Sequence, residues 1–248
     1  MVKFFVLLLS VSILLACKVK QINKYEGNNI SITDTTFKSN ELEEMIAPYK
    51  IEMESKMNKV IGHTNTALTN YSPESPLGNF VADVVFESAF QFGIDNKKVS
   101  LEKWNTISLI NFGGLRASIN EGDISIRNVY ELMPFDNEIV IVSLSPSEVT
   151  EMLNYLFDKN GQPISNGQAI LSSNKKGLVI GGRAYNFERN INVITSDYLA
   201  KGGDKMNFFK FAQMIQTGIL MRDALLDYVA LKKELPEFKV EDRIFFVK

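Results

Sequence analysis

Glu138-Ile139-Val140-Ile141-Val142-Ser143-Leu144 runs directly into Ser145-Pro146-Ser147-Glu148, and this junction decides the fold class. The first seven residues are apolar at nearly every position, so a strand there has both faces covered and lies centrally in a sheet. Ser145, Pro146 and Glu148 then supply the N-cap, N1 and N3 positions of a helix. That helix runs to about Phe157 and turns Val149, Met152, Leu153, Leu156 and Phe157 inward.

Upstream, Asn40 with Glu43 makes a capping-box-like start for a helix toward Met57, kinked near Pro48. Val60 to Leu68 reads as a strand, and Pro76 to about Phe92 as a strongly amphipathic helix. Thr106 to Asn111 is a strand and Ile126 to Leu132 a short helix. Downstream, Ala169 to Leu171, Gly177 to Ile180 and Ile191 to Thr195 read as strands between Asn/Gly turns. A helix near Leu220 to Leu235 and a strand from Arg243 to Val247 follow. Helices and strands intermix without a regular βαβ beat, so the class is α+β, a mixed β-sheet packed with helices. No internal repeat is present, and residues 41–248 read as one folded domain.

The chain has 248 residues, 45% hydrophobic and 23% charged, enough apolar material for one sizeable core. Lys3 followed by the apolar run Phe4 to Leu15 reads as a signal peptide over residues 1–16. Leu14-Leu15-Ala16-Cys17 resembles a lipobox, which implies cleavage before Cys17 and a lipid on its sulfur. A plain leader or an N-terminal membrane helix are the alternatives; the run is short for a span. Cys17 is the single cysteine, so no internal disulfide forms. Residues 17–40, polar and rich in Lys, Asn, Ser and Thr, read as a tether. The expected location is the bacterial cell envelope, with an outer-membrane anchor facing the periplasm preferred because Lys18 follows Cys17. A formal net charge of −2 disfavours general nucleic-acid binding, which needs a basic footprint.

Candidate binding residues cluster at ends of elements. Asn111-Phe112-Gly113-Gly114-Leu115-Arg116 follows a strand, and its glycines let the backbone approach a ligand closely. Asn111 offers an amide, and Arg116 a permanent planar cation with paired donors suited to an anion. Pro134-Phe135-Asp136-Asn137 precedes the apolar strand. Tyr198 follows another strand, six residues before Asp204 of Gly202-Gly203-Asp204. Taken singly, Phe135 reads as core, Tyr198 as packing and Asp204 as a turn cap, while Arg116 could pair with Glu121 or Asp123.

Taken in order, they resemble the C-terminal substrate-binding domain of the 5′-nucleotidases and UDP-sugar hydrolases. The shared pattern is a Leu-Gly-Asn helix start (Leu77-Gly78-Asn79), then Asn-x-Gly-Gly-x-Arg, Pro-Phe-x-Asn and an aromatic six residues before the Asp of Gly-Gly-Asp. It covers about Val60 to Phe209. The resemblance implies that Phe135 and Tyr198 sandwich a nucleobase, Asn137 meets the base edge and Asp204, beside Gly203, meets ribose hydroxyls. It assigns Asn111 and Arg116, with the Gly113-Gly114 turn, to the phosphate end. Ser75 and Asn79 stand near where family members carry additional arginines, which leaves Arg116 as the clearest phosphate ligand.

Complete family members precede this domain with a two-metal phosphoesterase domain rich in His, Asp and Asn ligands. This sequence holds one histidine, His63, which reads as an edge or packing residue. No catalytic residue and no cofactor are therefore expected in this chain; divalent metals are expected on a separate metallophosphatase partner. Three readings stay open: the nucleotide- or nucleoside-binding half of a split 5′-nucleotidase, a non-catalytic membrane-anchored binder, or an interaction protein with a decayed pocket.

Overall fold

The computed structural model describes residues 27, 29, 39–96 and 101–247. The expected leader, Cys17 and most of the expected tether lie outside those residues. The chain divides into two compact units, Met1–Pro48 and Tyr49–Lys248. The first helix, α1 (Asn40–Met57), crosses that division and has no buried residue. The second unit contains everything that follows.

Its elements are β1 (Val60–Thr64), α2 (Pro76–Asn96), β2 (Thr106–Leu109), β3 (Gly122–Ser125), α3 (Ile126–Leu132), β4 (Glu138–Leu144) and α4 (Pro146–Asp158). Next come β5 (Ile164–Ser165), β6 (Gly167–Leu171), β7 (Lys176–Ile180), β8 (Arg183–Ala184), β9 (Ile191–Ser196) and α5 (Asp197–Ala200). The last are β10 (Met214–Leu220), α6 (Met221–Lys232) and β11 (Ile244–Phe246). A five-stranded sheet of order β10-β4-β9-β2-β5 forms the centre, with a four-stranded sheet, β11-β6-β7-β8, and a β1-β3 pair. Only β2-β9 is parallel in the central sheet; β4 pairs antiparallel with both neighbours. The class is α+β with mixed sheets, as the sequence implies.

The apolar run of β4 has a direct cause. Ile139 and Ile141 join one hydrophobic cluster, with Phe80, Val84 and Leu225 from α2 and α6. Val140, Val142 and Leu144 point to the other, with Val149, Leu153 and Leu156 from α4. A strand alternates its side chains, so covering both faces demands apolar residues throughout. The helix start after β4 is also built as its residues dictate. The Glu148 carboxylate accepts hydrogen bonds from the Ser145 amide and hydroxyl, both at 2.7 Å.

Four strands carry no signal in the sequence. β5 and β8 are two residues each, and β3 is short and opens on glycine. β10 is longer, but its register shifts between Gln216 and Leu220, where Gly218 takes φ +76°. The irregularity breaks the alternation by which a strand is read. The strand expected over Val60 to Leu68 stops at Thr64, with Leu68 in an isolated bridge to Ile119. The chain around and after Asp204 forms a pair of 3-10 turns, Gly203–Lys205 and Asn207–Phe209.

Candidate functional site

Neighbouring strands β2 and β9 run parallel, so both deliver their C-terminal ends to the same edge of the sheet. After β2 the chain passes Asn111 and enters a 3-10 turn, Phe112–Gly114. The Phe112 amide donates to Gln162 Oε1 (2.8 Å), and Asn70 Nδ2 donates to the Phe112 and Leu115 carbonyls (3.3 and 3.2 Å). The Arg116 amide donates to the Leu132 carbonyl (2.9 Å), tying the end of this turn to α3. A Cβ on Gly114 would lie 2.9 Å from Asn111 Oδ1, so glycine lets the Asn111 side chain fold over the turn.

After β9 comes the single turn of α5, whose N-cap Ser196 accepts from the Leu199 amide (3.1 Å). It carries Tyr198 outward. Gly202 (φ +90°) then reverses the chain, and Asp204 sits at φ +50°. Here glycine is required twice: Gly202 for its left-handed backbone, and Gly203 because a Cβ would lie 2.5 Å from the Tyr198 ring. Tyr198 therefore lies flat against the turn that carries Asp204.

The two strand ends are stitched together at Asp204. Tyr198 OH donates to Asp204 Oδ1 (2.9 Å), and Asn111 Nδ2 to Oδ2 (2.5 Å). Tyr155 of α4 donates to the Asp204 carbonyl (3.0 Å). Burial pushes the Tyr155 hydroxyl up to about 12, with the negative charge of Asp204 and then Tyr198 adding to the effect. It therefore stays a neutral donor near neutrality.

The third wall is the loop Pro134–Asn137 between α3 and β4. Its Asn137 carbonyl accepts from the Met221 amide (2.9 Å) at the start of α6. Its Asp136 pairs with Arg222, whose guanidinium also stacks 4.3 Å from the Tyr130 ring centroid. Arg222 is buried, with Nε unpartnered among the described residues. The clasp fixes the loop from below and leaves Phe135 facing solvent.

Asn111, Gly113, Gly114, Arg116, Phe135, Asn137, Tyr198 and Asp204 line one open cleft of about 340 Å³. Of the nine residues the sequence offers as substrate-binding candidates, only Gly203 does not line it, and it lies against the Tyr198 ring. Phe135 and Tyr198 are each 45% exposed, which argues against a core role for either ring. Arg116 is exposed, and its side chain's contact among the described residues is a 3.3 Å hydrogen bond to the Gly113 carbonyl. Asp123, one of the two carboxylates the sequence offers it, lies 3.0 Å from His63 Nδ1 instead. Ser75 and Asn79 are buried in the start of α2, where Ser75 Oγ accepts from the Gly78 amide (3.0 Å) and Asn79 donates to Glu74 (2.7 Å).

Tyr155, Gln162 and Arg222 escape sequence reading. Tyr155 is outside the inward stripe read for α4 and packs half-buried against the same hydrophobic cluster. Gln162 and Arg222 act from distant segments with no local pattern. Among the described residues no group of three or more His, Cys, Asp or Glu side chains is placed to hold a metal ion, and His63 is paired with Asp123.

Residues 59–174 match the family model of the 5′-nucleotidase C-terminal domain. The chain is 26% identical over 216 residues to the trifunctional nucleotide phosphoesterase protein YfkN of Bacillus subtilis, covering 77% of this chain and 14% of that protein. It is 26% identical over 132 residues to the 5′-nucleotidase of Vibrio cholerae, covering 49% of this chain and 23% of that protein. Among solved structures, a 5′-nucleotidase precursor from Thermus thermophilus superposes with a TM-score of 0.69 at 22% identity, over 83% of this chain and 43% of that one. The Haemophilus influenzae NAD nucleotidase gives 0.62 at 14% identity, over 85% and 42%. This chain thus spans less than half the length of each of these relatives.

Proposed function

We propose that this chain, which carries a 5′-nucleotidase C-terminal domain, binds a nucleotide or nucleoside in the Phe135–Tyr198 cleft for hydrolysis by a separate two-metal phosphatase. One observation carries the reading: two half-exposed aromatic rings line the same cleft as a cation, a carboxylate and two amides. Two half-exposed rings on one cleft give a ligand apolar surface to cover, and a base stacked on an aromatic side chain contributes roughly 1–3 kcal/mol. Arg116 takes the phosphate through its paired N–H donors. Asp204 accepts from ribose hydroxyls, held in place by Tyr198 and Asn111. Asn137 meets the base edge.

The ligand arithmetic supports the phosphatase half of the proposal. Two-metal sites draw on several His and carboxylate ligands, and these 248 residues contain one histidine. Phe211, 88% exposed in the segment after the Gly202-Gly203-Asp204 turn, and Phe135 at the cleft give a docking chain apolar surface to cover. A lipid on Cys17 would hold the assembly at the envelope surface.

Calorimetry of the isolated protein against adenosine, AMP and a UDP-sugar tests the binding step. Saturable heat with at least one, lost in Phe135→Ala, is expected; silence across all three overturns it. Mixing with the metallophosphatases of the same genome tests the split enzyme, which requires metal-dependent phosphate release greater than either component gives alone.

A further inference from the structure

The parallel pair β2-β9 has a second end. Where its C-terminal ends meet the cleft described above, its N-terminal ends border another, of about 300 Å³. This second cleft is lined by Trp104 and Asn105 before β2, by Asn190 and Ile191 at the start of β9, and by Arg183 to Asn186 and Arg189 from the β8 hairpin. At about 3.3 Å per residue, the strands separate the two clefts by roughly 20 Å.

The wall residues are held by specific ties. The Asn192 amide donates to the Asn105 carbonyl (2.8 Å), fixing the two strand starts side by side. Asn166 Nδ2 donates to the carbonyls of Lys103 (2.6 Å) and Thr106 (2.7 Å), which anchors the segment carrying Trp104. A Cβ on Gly181 (φ +53°) would lie 2.4 Å from the Lys103 carbonyl oxygen and 3.3 Å from the Trp104 Cα, so glycine lets the turn before β8 pass close to the segment that carries Trp104. Tyr185 OH donates to the Arg189 carbonyl (2.5 Å), closing the loop that presents the second arginine. Asn105 Oδ1 accepts from Thr106 Oγ1 (2.9 Å) and the Glu102 amide (3.3 Å), which orients its amide NH2 group.

The chemistry of this wall is one-sided. Arg183 and Arg189 are exposed, and among the described residues neither guanidinium enters an ion pair. The nearby Glu188 is engaged by Asn186 Nδ2 (2.9 Å). Trp104 leaves 40% of its surface to solvent, although tryptophan is among the residues most driven to burial. Two guanidinium forks suit a carboxylate or phosphate. A flat indole suits the C–H face of a saccharide ring, and amides suit hydroxyls. The volume, at the lower end for small-molecule sites, fits one ring with its substituents.

We propose that the Trp104–Arg183–Arg189 cleft is a binding site for an acidic sugar unit, carboxylated or phosphorylated. Its ring packs on Trp104, its anionic group lies between Arg183 and Arg189, and its hydroxyls meet Asn105 and Asn190. The site is independent of the nucleotide cleft and stands whether or not that cleft binds a nucleotide.

Trp104 is the single tryptophan of the chain, so its fluorescence reports on this cleft directly. D-glucuronate and D-glucose 6-phosphate, titrated separately, distinguish a carboxylated from a phosphorylated ligand. A saturable change in emission with at least one is expected. Glucose and inorganic phosphate should each bind at least about tenfold more weakly, since each lacks half of the recognition. Arg183→Ala and Arg189→Ala should each weaken binding by about tenfold or more, and Arg189→Lys by less, because lysine keeps the charge without the fork. Both arginines are exposed, and unchanged circular dichroism would show that the variants remain folded. No saturable response to either acid through the millimolar range overturns the proposal. So does an equal response to glucose, a tighter response to AMP than to either acid, or binding indifferent to both alanine variants.

Discussion

Two carboxylate-centred clusters in this molecule use the same kinds of residue to opposite ends. Beneath α2, Glu74 is 3% exposed and accepts from Asn79 Nδ2 (2.7 Å), the Glu241 amide (2.8 Å) and the Arg243 amide (2.8 Å). Arg243 in turn clamps both Asp83 oxygens (2.6 and 2.9 Å), and it also donates to Glu241 and the Ile164 carbonyl. Burial opposes the guanidinium charge, but Asp83 and then Glu241 more than offset it, and the group is held above its usual range. This cluster joins the C-terminal segment to α2 and β5 and leaves little capacity for anything else. At Asp204 the partners are Tyr198 and Asn111, but the carboxylate is exposed, and so are Arg116 and the rings beside it. What separates the staple from the candidate cleft here is the capacity left over, not the residue types.

Arg243→Ala should therefore give the largest change. Removing one partner of a buried pair costs about 3–5 kcal/mol. Because Asp83 is partly exposed, the expectation is about 3 kcal/mol, the low end of that range. Urea denaturation would read this as a lower midpoint at unchanged slope. A loss below about 1 kcal/mol, typical of a surface pair, would erase the distinction between the clusters.

The opposite pattern is expected at the cleft. Phe135→Ala should leave the denaturation midpoint nearly unchanged, because the ring is half in solvent. It should weaken nucleotide binding by roughly 1–3 kcal/mol, about tenfold to a hundredfold. Arg116→Ala should also spare stability. Its effect should appear as a difference between ligands: AMP weakened by about tenfold, adenosine hardly at all. Equal weakening of both would place Arg116 away from the phosphate.

How much of this was legible in the sequence follows the same division. β4 and the start of α4 could be read closely, and the end of α4 to within one residue, because a continuous apolar run and a capping box are local. The cleft residues stood out as a set through their resemblance to the 5′-nucleotidase C-terminal pattern, since Phe135 and Tyr198 singly read as packing residues, and the structure brings Asn111, Arg116, Phe135, Asn137, Tyr198 and Asp204 to one place. The Glu74–Asp83–Arg243 cluster was invisible. Arg243 lies 160 residues from Asp83 in the chain, and an Arg after an Asp carries no pattern of its own. β10 was missed for a related reason. Its bulge at Gly218 is supported by tertiary contacts, with the Gly218 amide donating to Glu138 Oε1 (2.7 Å) and Thr217 Oγ1 to the Ile139 carbonyl (2.6 Å).

Tyr155 lies between the two kinds of cluster, since it is half-buried yet touches the Asp204 turn through a single hydrogen bond. Its folded-state value of about 12 lies above the usual tyrosine value of about 10. A group raised in this way adds stability that is fully present below its unfolded value and is lost as pH rises through its folded value. Between about pH 10 and 12 the unfolded chain ionises Tyr155 while the folded protein does not, so stability should fall across that window. Tyr155→Phe should remove this contribution and the late phase of the ultraviolet tyrosinate titration. At neutral pH it should cost only about 1 kcal/mol, the worth of one neutral hydrogen bond. If the variant also weakens nucleotide binding, Tyr155 sets the position of the Asp204 turn; if binding is untouched, Tyr198 and Asn111 hold that carboxylate without it.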